Sequence, residues 1–147
     1  MVIVERDIKA RPETVYTFFT DPAKWLSWQG VDATIEPIPG GVFRMNVRGD
    51  GYASGRFVEL IPHRRVVFTW GWEHPGNPVP PGSSTVEVDL FPDEEGTTTL
   101  VRLRHHGLPA DAVDLHRAGW EHYLSRLQTA ASGGDPGPDP MRVDELA

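Results

Sequence analysis

The sequence predicts an α+β domain in which a long C-terminal helix lies against a curved antiparallel sheet of seven strands. Three observations indicate this arrangement: a helical repeat of apolar residues over 111–131, a two-residue alternation over 31–106, and two short helical segments after the first strand. An antiparallel sheet with its helices on one face is an α+β layering. If the sheet curves around the helix, a cavity can remain between them.

The first strand and the two short helices occupy the N-terminal part of the chain. Residues 2–8 are rich in Val and Ile and predict a strand. Pro12 suits the first turn of a short helix, because proline has no N–H to leave unpaired there. A second short helix begins at Pro22, after an Asp that can cap it, and this helix carries Trp25 and Trp28.

Six further strands follow, separated by turns rich in Gly and Pro. We expect a tight hairpin at Gly49-Asp50-Gly51 and a long proline-rich loop over 73–83. The predicted strands span 31–37, 42–48, 52–61, 64–72, 84–92 and 97–106.

The last helix has an apolar stripe that faces the sheet. Residues three or four apart share one helix face, and here they are Val113, His116, Trp120, Leu124, Leu127 and Ala131. Such a stripe is typical of core, but His116 is polar and Gly119 leaves a gap beside Trp120. We therefore expect this helix to cover a cavity. We assign 1–131 to a single domain and 132–147, rich in Gly, Pro and Asp, to a tail that is mobile or lies over the surface.

Composition argues against several classes of function. The formal net charge of -7, without a Lys/Arg run, argues against a nucleic-acid or anionic membrane partner. The chain has no Cys, which excludes disulfides, thiolate zinc sites and a Cys nucleophile. The N-terminus lacks the pattern of a secretory signal, and no apolar run reaches about 18 residues. A cytoplasmic location is the default expectation.

The alternation also predicts which strand residues face the helix. They are Phe43, Met45, Val47, Val66, Phe68, Trp70, Trp72, Val86, Val88, Leu90, Val101, Leu103 and His105. Any one of these residues is more simply explained as ordinary core. As a set, however, they predict the aromatic wall of a pocket of roughly 300 to 1,000 Å³. We expect the ligand-binding residues to be Trp25, Trp28, Phe43, Met45, Phe68, Trp70, Trp72, Val101, Leu103, His105, His116, Trp120 and Leu124.

His105 and His116 are the strongest candidates for chemistry in that cavity, followed by Glu73 and Tyr123. An isolated cavity histidine is more often a hydrogen-bonded wall residue than a catalyst, so we expect the pair to orient a ligand. His105 and His106 point to opposite faces of a strand and cannot bind one metal together. No nucleotide-binding motif lies between a strand and a helix. We expect no catalytic residue, no metal and no cofactor.

Four segments in order carry a resemblance to a known family. They are RVVFTWGW at 65–72, LRHHGLP at 103–109, GWEHYL at 119–124 and GPDP at 137–140. Over about residues 1–140 the chain resembles the activator of heat-shock protein 90 ATPase homologue-like branch of the START-like (SRPBCC) superfamily. The resemblance implies a helix-grip fold, in which a curved seven-stranded antiparallel sheet grips a long C-terminal helix around a cavity. Members of this superfamily are largely small-ligand binders, some relatives are polyketide cyclases or aromatases, and the namesake branch stimulates a chaperone ATPase.

Three functions follow as expectations. The first is binding of a small, largely apolar ligand between the sheet and the helix. The second, implied only by the resemblance, is a co-chaperone or regulatory interaction in the stress response. The third is a cyclase/aromatase- or hydrolase-like enzyme that uses the same cavity. The 73–83 loop is interpreted as a hairpin connector, or else its Pro78, Val79 and Pro80 cover the cavity mouth or meet a second subunit, which leaves a homodimer open.

Overall fold

A seven-stranded antiparallel sheet forms the framework of the fold, as predicted. The computed structural model describes residues 1–143. The strands are β1 (Val2–Ile8), β2 (Asp32–Ile35), β3 (Val42–Asn46), β4 (Tyr52–Ile61), β5 (Arg65–Trp70), β6 (Ser84–Pro92) and β7 (Thr99–His106). Their order is β1-β7-β6-β5-β4-β3-β2, so the last strand pairs with the first and the rest follow as successive hairpins.

Three helices and a 3-10 turn complete the helix-grip arrangement. They are α1 (Pro12–Thr17), α2 (Pro22–Trp25), the turn Ala110–Ala112 and α3 (Val113–Ala131). The predicted cap of α2 is present, because the Asp21 carboxylate accepts from the N–H groups of Ala23 and Lys24. The predicted last helix starts two residues later than expected, because its first residues form the 3-10 turn.

The predicted faces of the sheet and of α3 are confirmed. All of the strand residues predicted to face the helix are buried except Trp72, which is half-buried. Along α3 the predicted stripe is buried except Val113. The opposite face of the sheet carries charge: Arg65 pairs with Glu59, Glu87 and Asp89. The core therefore lies between the concave side of the sheet and the helices.

Strand β3 ends two residues earlier than predicted, and the hairpin after it is not tight. Asn46 Oδ1 accepts hydrogen bonds from the N–H groups of Gly49 and Gly51, at 2.9 and 3.4 Å. This side chain stabilises a five-residue loop, 47–51, because it replaces the strand ladder as the partner of two backbone groups. Val47 and Arg48 thus belong to a loop at the end of the sheet.

Strand β5 also ends early, at Trp70, because the 73–83 loop folds back over Gly71. A Cβ atom on Gly71 would lie 1.7 Å from the carbonyl oxygen of Pro80, so only glycine permits this approach. Beyond it, the Trp72 N–H donates to the Val79 carbonyl at 2.7 Å. The loop is therefore bound to the end of β5, and Val79 is buried.

The described part of the predicted tail, 132–143, lies against the domain. Arg126 of α3 donates to the carbonyls of Pro136 and Gly137, and the Val143 N–H donates to the Arg48 carbonyl at 2.8 Å. We call residues 135–143 the strap. The last part of the predicted tail, 144–147, lies outside the described residues. Among residues 1–143, no helix combines the length and apolar character needed to cross a bilayer.

Candidate functional site

A cavity of about 510 Å³ opens between one end of the sheet and α3. Its inner wall is made by Trp70 and Trp72 from the sheet side and by His116, Gly119 and Trp120 from the helix. The volume lies within the range of sites that hold small molecules in proteins, roughly 300 to 1,000 Å³. The predicted pocket is therefore present, at one end of the space between sheet and helix.

Three tryptophan rings make the inner wall of the cavity aromatic and apolar. The Trp70 ring lies 5.4 Å from that of Trp72, at an edge-to-face angle of 86°, and 5.2 Å from that of Trp120. These separations are in the favourable range for aromatic pairs. The three rings present a rigid apolar surface to the cavity.

Gly119 widens the cavity on the helix side. A Cβ atom added to this glycine would meet no atom within 4 Å. Glycine in the middle of a helix is less favourable than alanine by roughly 0.8 to 1 kcal/mol. Glycine at position 119 therefore makes the helix less stable than alanine would, and it leaves open volume beside Trp120.

Two peripheral segments form the mouth. Pro78 and Val79 of the 73–83 loop line the cavity, as does Met141 of the strap. Leu115, on the first turn of α3, is 74 % exposed and also borders the opening. The entrance is therefore bounded by chain segments outside the regular sheet.

His105 holds the sheet and the helix together beneath the cavity. The Trp120 indole N–H donates to His105 Nδ1 at 2.9 Å, so the other nitrogen of the neutral ring carries the proton. That Nε2–H lies 2.8 Å from Ser84 Oγ, whose hydroxyl donates to the Trp70 carbonyl. Both nitrogens of His105 are thus engaged within the protein.

His116 is engaged in the same way at the cavity wall. Its Nδ1–H donates to the Ala112 carbonyl at 2.8 Å, one turn earlier in the chain. Its Nε2 accepts from the Trp72 indole N–H at 3.1 Å. The contact fixes Trp72 against α3, and it leaves no free nitrogen on His116 for proton transfer.

Burial keeps both imidazoles neutral. Desolvation lowers the pKa of His105 to about 3, assisted by the neighbouring His116 and His106. Burial also lowers the pKa of His116, although the hydrogen bond to Ala112 opposes the shift. The two rings lie 5.2 Å apart, edge to face, as a neutral pair.

Four of the thirteen predicted ligand-binding residues line the cavity: Trp70, Trp72, His116 and Trp120. The other nine are buried outside its lining, which corrects their predicted place in the wall: Trp25, Trp28, Phe43, Met45, Phe68, Val101, Leu103, His105 and Leu124.

The correction has a physical cause in helix α2. Its Trp25 ring stacks on Trp28 at 5.8 Å and contacts Phe43 and Phe68 at 5.3 and 5.6 Å. These rings fill the space between sheet and helix at that end. Alternation predicts the face on which a residue lies, but not how much space the opposite layer fills.

Several lining residues gave weak or no signals in the sequence. Gln29 follows a predicted short helix, and Met141 belongs to the predicted tail. The alternation of the predicted strand 42–48 places Arg48 on the outer face, yet it borders the cavity. Of the two alternative polar candidates, Tyr123 lines the cavity, whereas Glu73 forms an ion pair with Arg44 at 2.7 Å. In residues 1–143, no three His, Asp or Glu side chains are grouped as a metal site.

Comparison with known proteins gives a family match over most of the chain. The sequence model of the family described as Activator of Hsp90 ATPase homolog 1-like protein matches residues 9–132. The human protein named Activator of 90 kDa heat shock protein ATPase homolog 1 is 31 % identical over 112 residues. This match covers 76 % of the chain and 31 % of the human protein, so the chain spans about a third of that relative.

Solved structures of similar proteins agree with the fold. An AHSA1-like protein from Rhizobium etli is 43 % identical, with a TM-score of 0.70 over 99 % of this chain and 91 % of that one. CalU16 from Micromonospora echinospora is 27 % identical, with a TM-score of 0.70 over 89 % of this chain and 75 % of that one.

Proposed function

The chain belongs to the Activator of Hsp90 ATPase homolog 1-like family, and within it we propose that this member binds a small, largely apolar molecule in the cavity between the sheet and α3. The observation that carries the proposal is the open volume of about 510 Å³ beside Gly119, bounded by three tryptophans. Apolar ligands bind mainly through such aromatic surfaces, with few polar contacts to orient them.

The hydrogen bonds of the two histidines support binding over catalysis. A general base needs a free nitrogen within reach of substrate. The nitrogens of His116 already bind Ala112 and Trp72, and His105 lies beneath the wall with Ser84 and Trp120 as partners. Their contribution is to hold two wall tryptophans in position, which preorganises the cavity.

A matched pair of leucine variants tests this function. Gly119→Leu places a side chain in the cavity, whereas Ala118→Leu makes the neighbouring, exposed position equally bulky. The probe is N-phenyl-1-naphthylamine, a neutral dye that fluoresces in apolar surroundings. We expect saturable binding to the wild type and to Ala118→Leu, and a loss of at least about tenfold in affinity for Gly119→Leu.

Two results would refute the proposal. One is the absence of saturable dye binding to the wild type, and the other is equal affinity in Gly119→Leu and Ala118→Leu. Native mass spectrometry of freshly purified protein adds an independent reading, because a co-purified molecule would appear as a fixed mass increment. The same spectrum would report whether the chain forms a homodimer.

A second candidate function is stimulation of a chaperone ATPase. It is favoured by the 31 % identity to the human protein whose name describes that activity, although the chain spans only part of that protein. The test is the rate of ATP hydrolysis by a 90 kDa heat shock protein with and without this chain. An increase that persists in Gly119→Leu would favour a surface interaction over the cavity.

A further inference from the structure

Gln29 carries an unpaired hydrogen-bond donor between the cavity and a neighbouring recess. The residue is 97 % buried and borders both the cavity and this smaller recess of about 200 Å³. Gln29 Oε1 accepts from the Trp25 indole N–H at 2.9 Å. Since an indole N–H can only donate, the oxygen must face Trp25 and the NH₂ group must point elsewhere.

The Gln29 NH₂ group has no partner within residues 1–143. The fully buried side-chain nitrogens and oxygens without a hydrogen bond in that range are Trp70 Nε1 and Arg104 Nε. Gln29 Nε2 is not one of them, so this nitrogen keeps contact with open volume. Satisfying a donor at such an enclosed position requires water or a ligand.

Trp70 also has an unpaired donor, but this donor does not face the open volume. Its ring lines the cavity, and its Nε1–H is buried without a hydrogen-bond partner in the described residues. A buried N–H without a partner is destabilising by roughly 1 to 3 kcal/mol. Because the atom is inaccessible from the cavity, Trp70 contributes its ring to the wall and no hydrogen bond.

The other polar groups of the inner wall already have partners. His116, Trp72 and Trp120 are hydrogen-bonded as described, and the Tyr123 hydroxyl donates to Asp139 at 2.7 Å. The carboxylates of Asp50 and Asp111 also border the cavity, but they are exposed to solvent. Among the buried lining residues of the described chain, Gln29 is therefore the one with an accessible unpaired side-chain group, and this group is a donor.

We propose that the ligand presents a hydrogen-bond acceptor without a donor, such as a ketone or quinone carbonyl, to the free amide of Gln29. Its aromatic or apolar body then lies against Trp72 and Trp120. This inference rests on the proposed ligand-binding function and assigns the chemical class of the ligand.

Two naphthalenes of nearly the same shape separate this inference from simple apolar binding. The probes are 2-acetylnaphthalene and 2-isopropenylnaphthalene, in which a CH₂ group replaces the carbonyl oxygen. An apolar wall alone favours the alkene, because the ketone must give up its hydrogen bonds to water. If the Gln29 NH₂ group donates to the carbonyl, this loss is offset. We then expect calorimetric titration of the wild type to show the ketone binding at least as tightly as the alkene.

The chain offers a matched pair of variants. Gln29→Glu keeps an oxygen for Trp25 and removes the donor, and Gln128→Glu makes the same substitution on α3 outside the cavity lining. At pH 8 we expect Gln29→Glu to weaken ketone binding roughly five- to tenfold, with alkene binding within about twofold of the wild type. Gln128→Glu should leave both affinities within about twofold.

If Gln29→Glu does not fold, nuclear magnetic resonance of the wild type tests the Gln29 hydrogen bond instead. We expect the ketone, and not the alkene, to shift the side-chain amide signals of Gln29 downfield. Tighter binding of the alkene, or unshifted Gln29 signals in the saturated ketone complex, would overturn the acceptor inference alone. If neither naphthalene nor the dye binds, the proposed function falls and the inference falls with it.

Discussion

The Trp120 indole N–H donates to His105 Nδ1 at 2.9 Å, and this hydrogen bond joins α3 to β7 across the core. Both residues are buried, and the Trp120 ring also contacts Trp70 at 5.2 Å. The pair thus links the floor of the cavity to the hydrogen bonds beneath it. Trp120 has two functions, since it packs the helix on the sheet and forms part of the proposed binding wall.

Truncation of Trp120 to Ala should lower the free energy of unfolding by about 3 to 5 kcal/mol, because it removes a large buried side chain. It also leaves His105 Nδ1 without its donor. Urea denaturation monitored by circular dichroism measures the change. Leu115→Ala, at an exposed position of the same helix, is the control and should stay within about 0.5 kcal/mol. A stable Trp120→Ala would contradict this account of the core.

Stability should fall as the pH drops below about 6.5, the pKa of histidine in the unfolded chain. Folding lowers the pKa of His105 to about 3, so between these values the unfolded chain binds more protons than the folded one. From pH 6.5 to 5 this amounts to a loss of about 2 kcal/mol from His105. Denaturation series at several pH values measure the slope, which should become shallower in His105→Gln. Equal slopes would indicate that His105 is not the titrating group.

Substitution of Gly119 by Ala should raise the free energy of unfolding by about 0.5 to 1 kcal/mol. The added methyl group meets no atom within 4 Å, so the gain in helix propensity is not offset by a clash. The melting temperature and urea midpoint of the purified variant measure this effect. Ala118→Gly, the reverse change at the adjacent exposed helix position, should lower stability by a similar amount. A destabilised Gly119→Ala would mean that the cavity is narrower at this point than the structure indicates.

These residues indicate how far the sequence determines the site. The spacing of Trp120 and His116 places both on the inner face of α3, and the alternation of β7 places His105 inside, as observed. Neither pattern reveals that Ser84 and Trp72 would take up the remaining ring nitrogens. Such partners lie far apart in the chain, and their hydrogen bonds depend on rotamers that periodicity does not encode.

The parts of the cavity lining outside the sheet and α3 were the least predictable, for a related reason. Gln29 and Met141 belong to a connecting and a terminal segment, and their N–H groups donate to the Trp25 carbonyl and to Asp139 Oδ1. For Val79, the sequence offered the cavity mouth only as an alternative to a plain hairpin connector. Glycine and proline patterns predict that such segments turn, but not what they then contact. Gly119 is the exception, since a glycine next to Trp120 of the inner stripe indicated open space.

The position of the strap, 135–143, should depend on the carboxylate of Asp139. Asp139 accepts hydrogen bonds from Tyr123, from His122 at 2.8 Å and from the Met141 N–H, and these contacts place Met141 at the cavity mouth. Asp139→Ala removes all three, so we expect a loss of roughly 2 kcal/mol and faster hydrogen exchange over 136–143. Asp135→Ala, at an exposed position of the same strap, is the control and should leave exchange near Tyr123 unchanged.

The Asp139 contacts should also give the strap a pH dependence. Burial raises the pKa of the Asp139 carboxyl, but the hydrogen bonds from Met141, Tyr123 and His122 outweigh it and hold the pKa below its usual value. The stabilisation is therefore complete above about pH 4, the pKa of an unfolded Asp, and is lost as the pH falls through the lower folded value. Hydrogen exchange of the strap in the wild type should accelerate below about pH 4 beyond the intrinsic rate, while Asp139→Ala should show no such step. If both proteins showed the same step, a group other than Asp139 would control the strap.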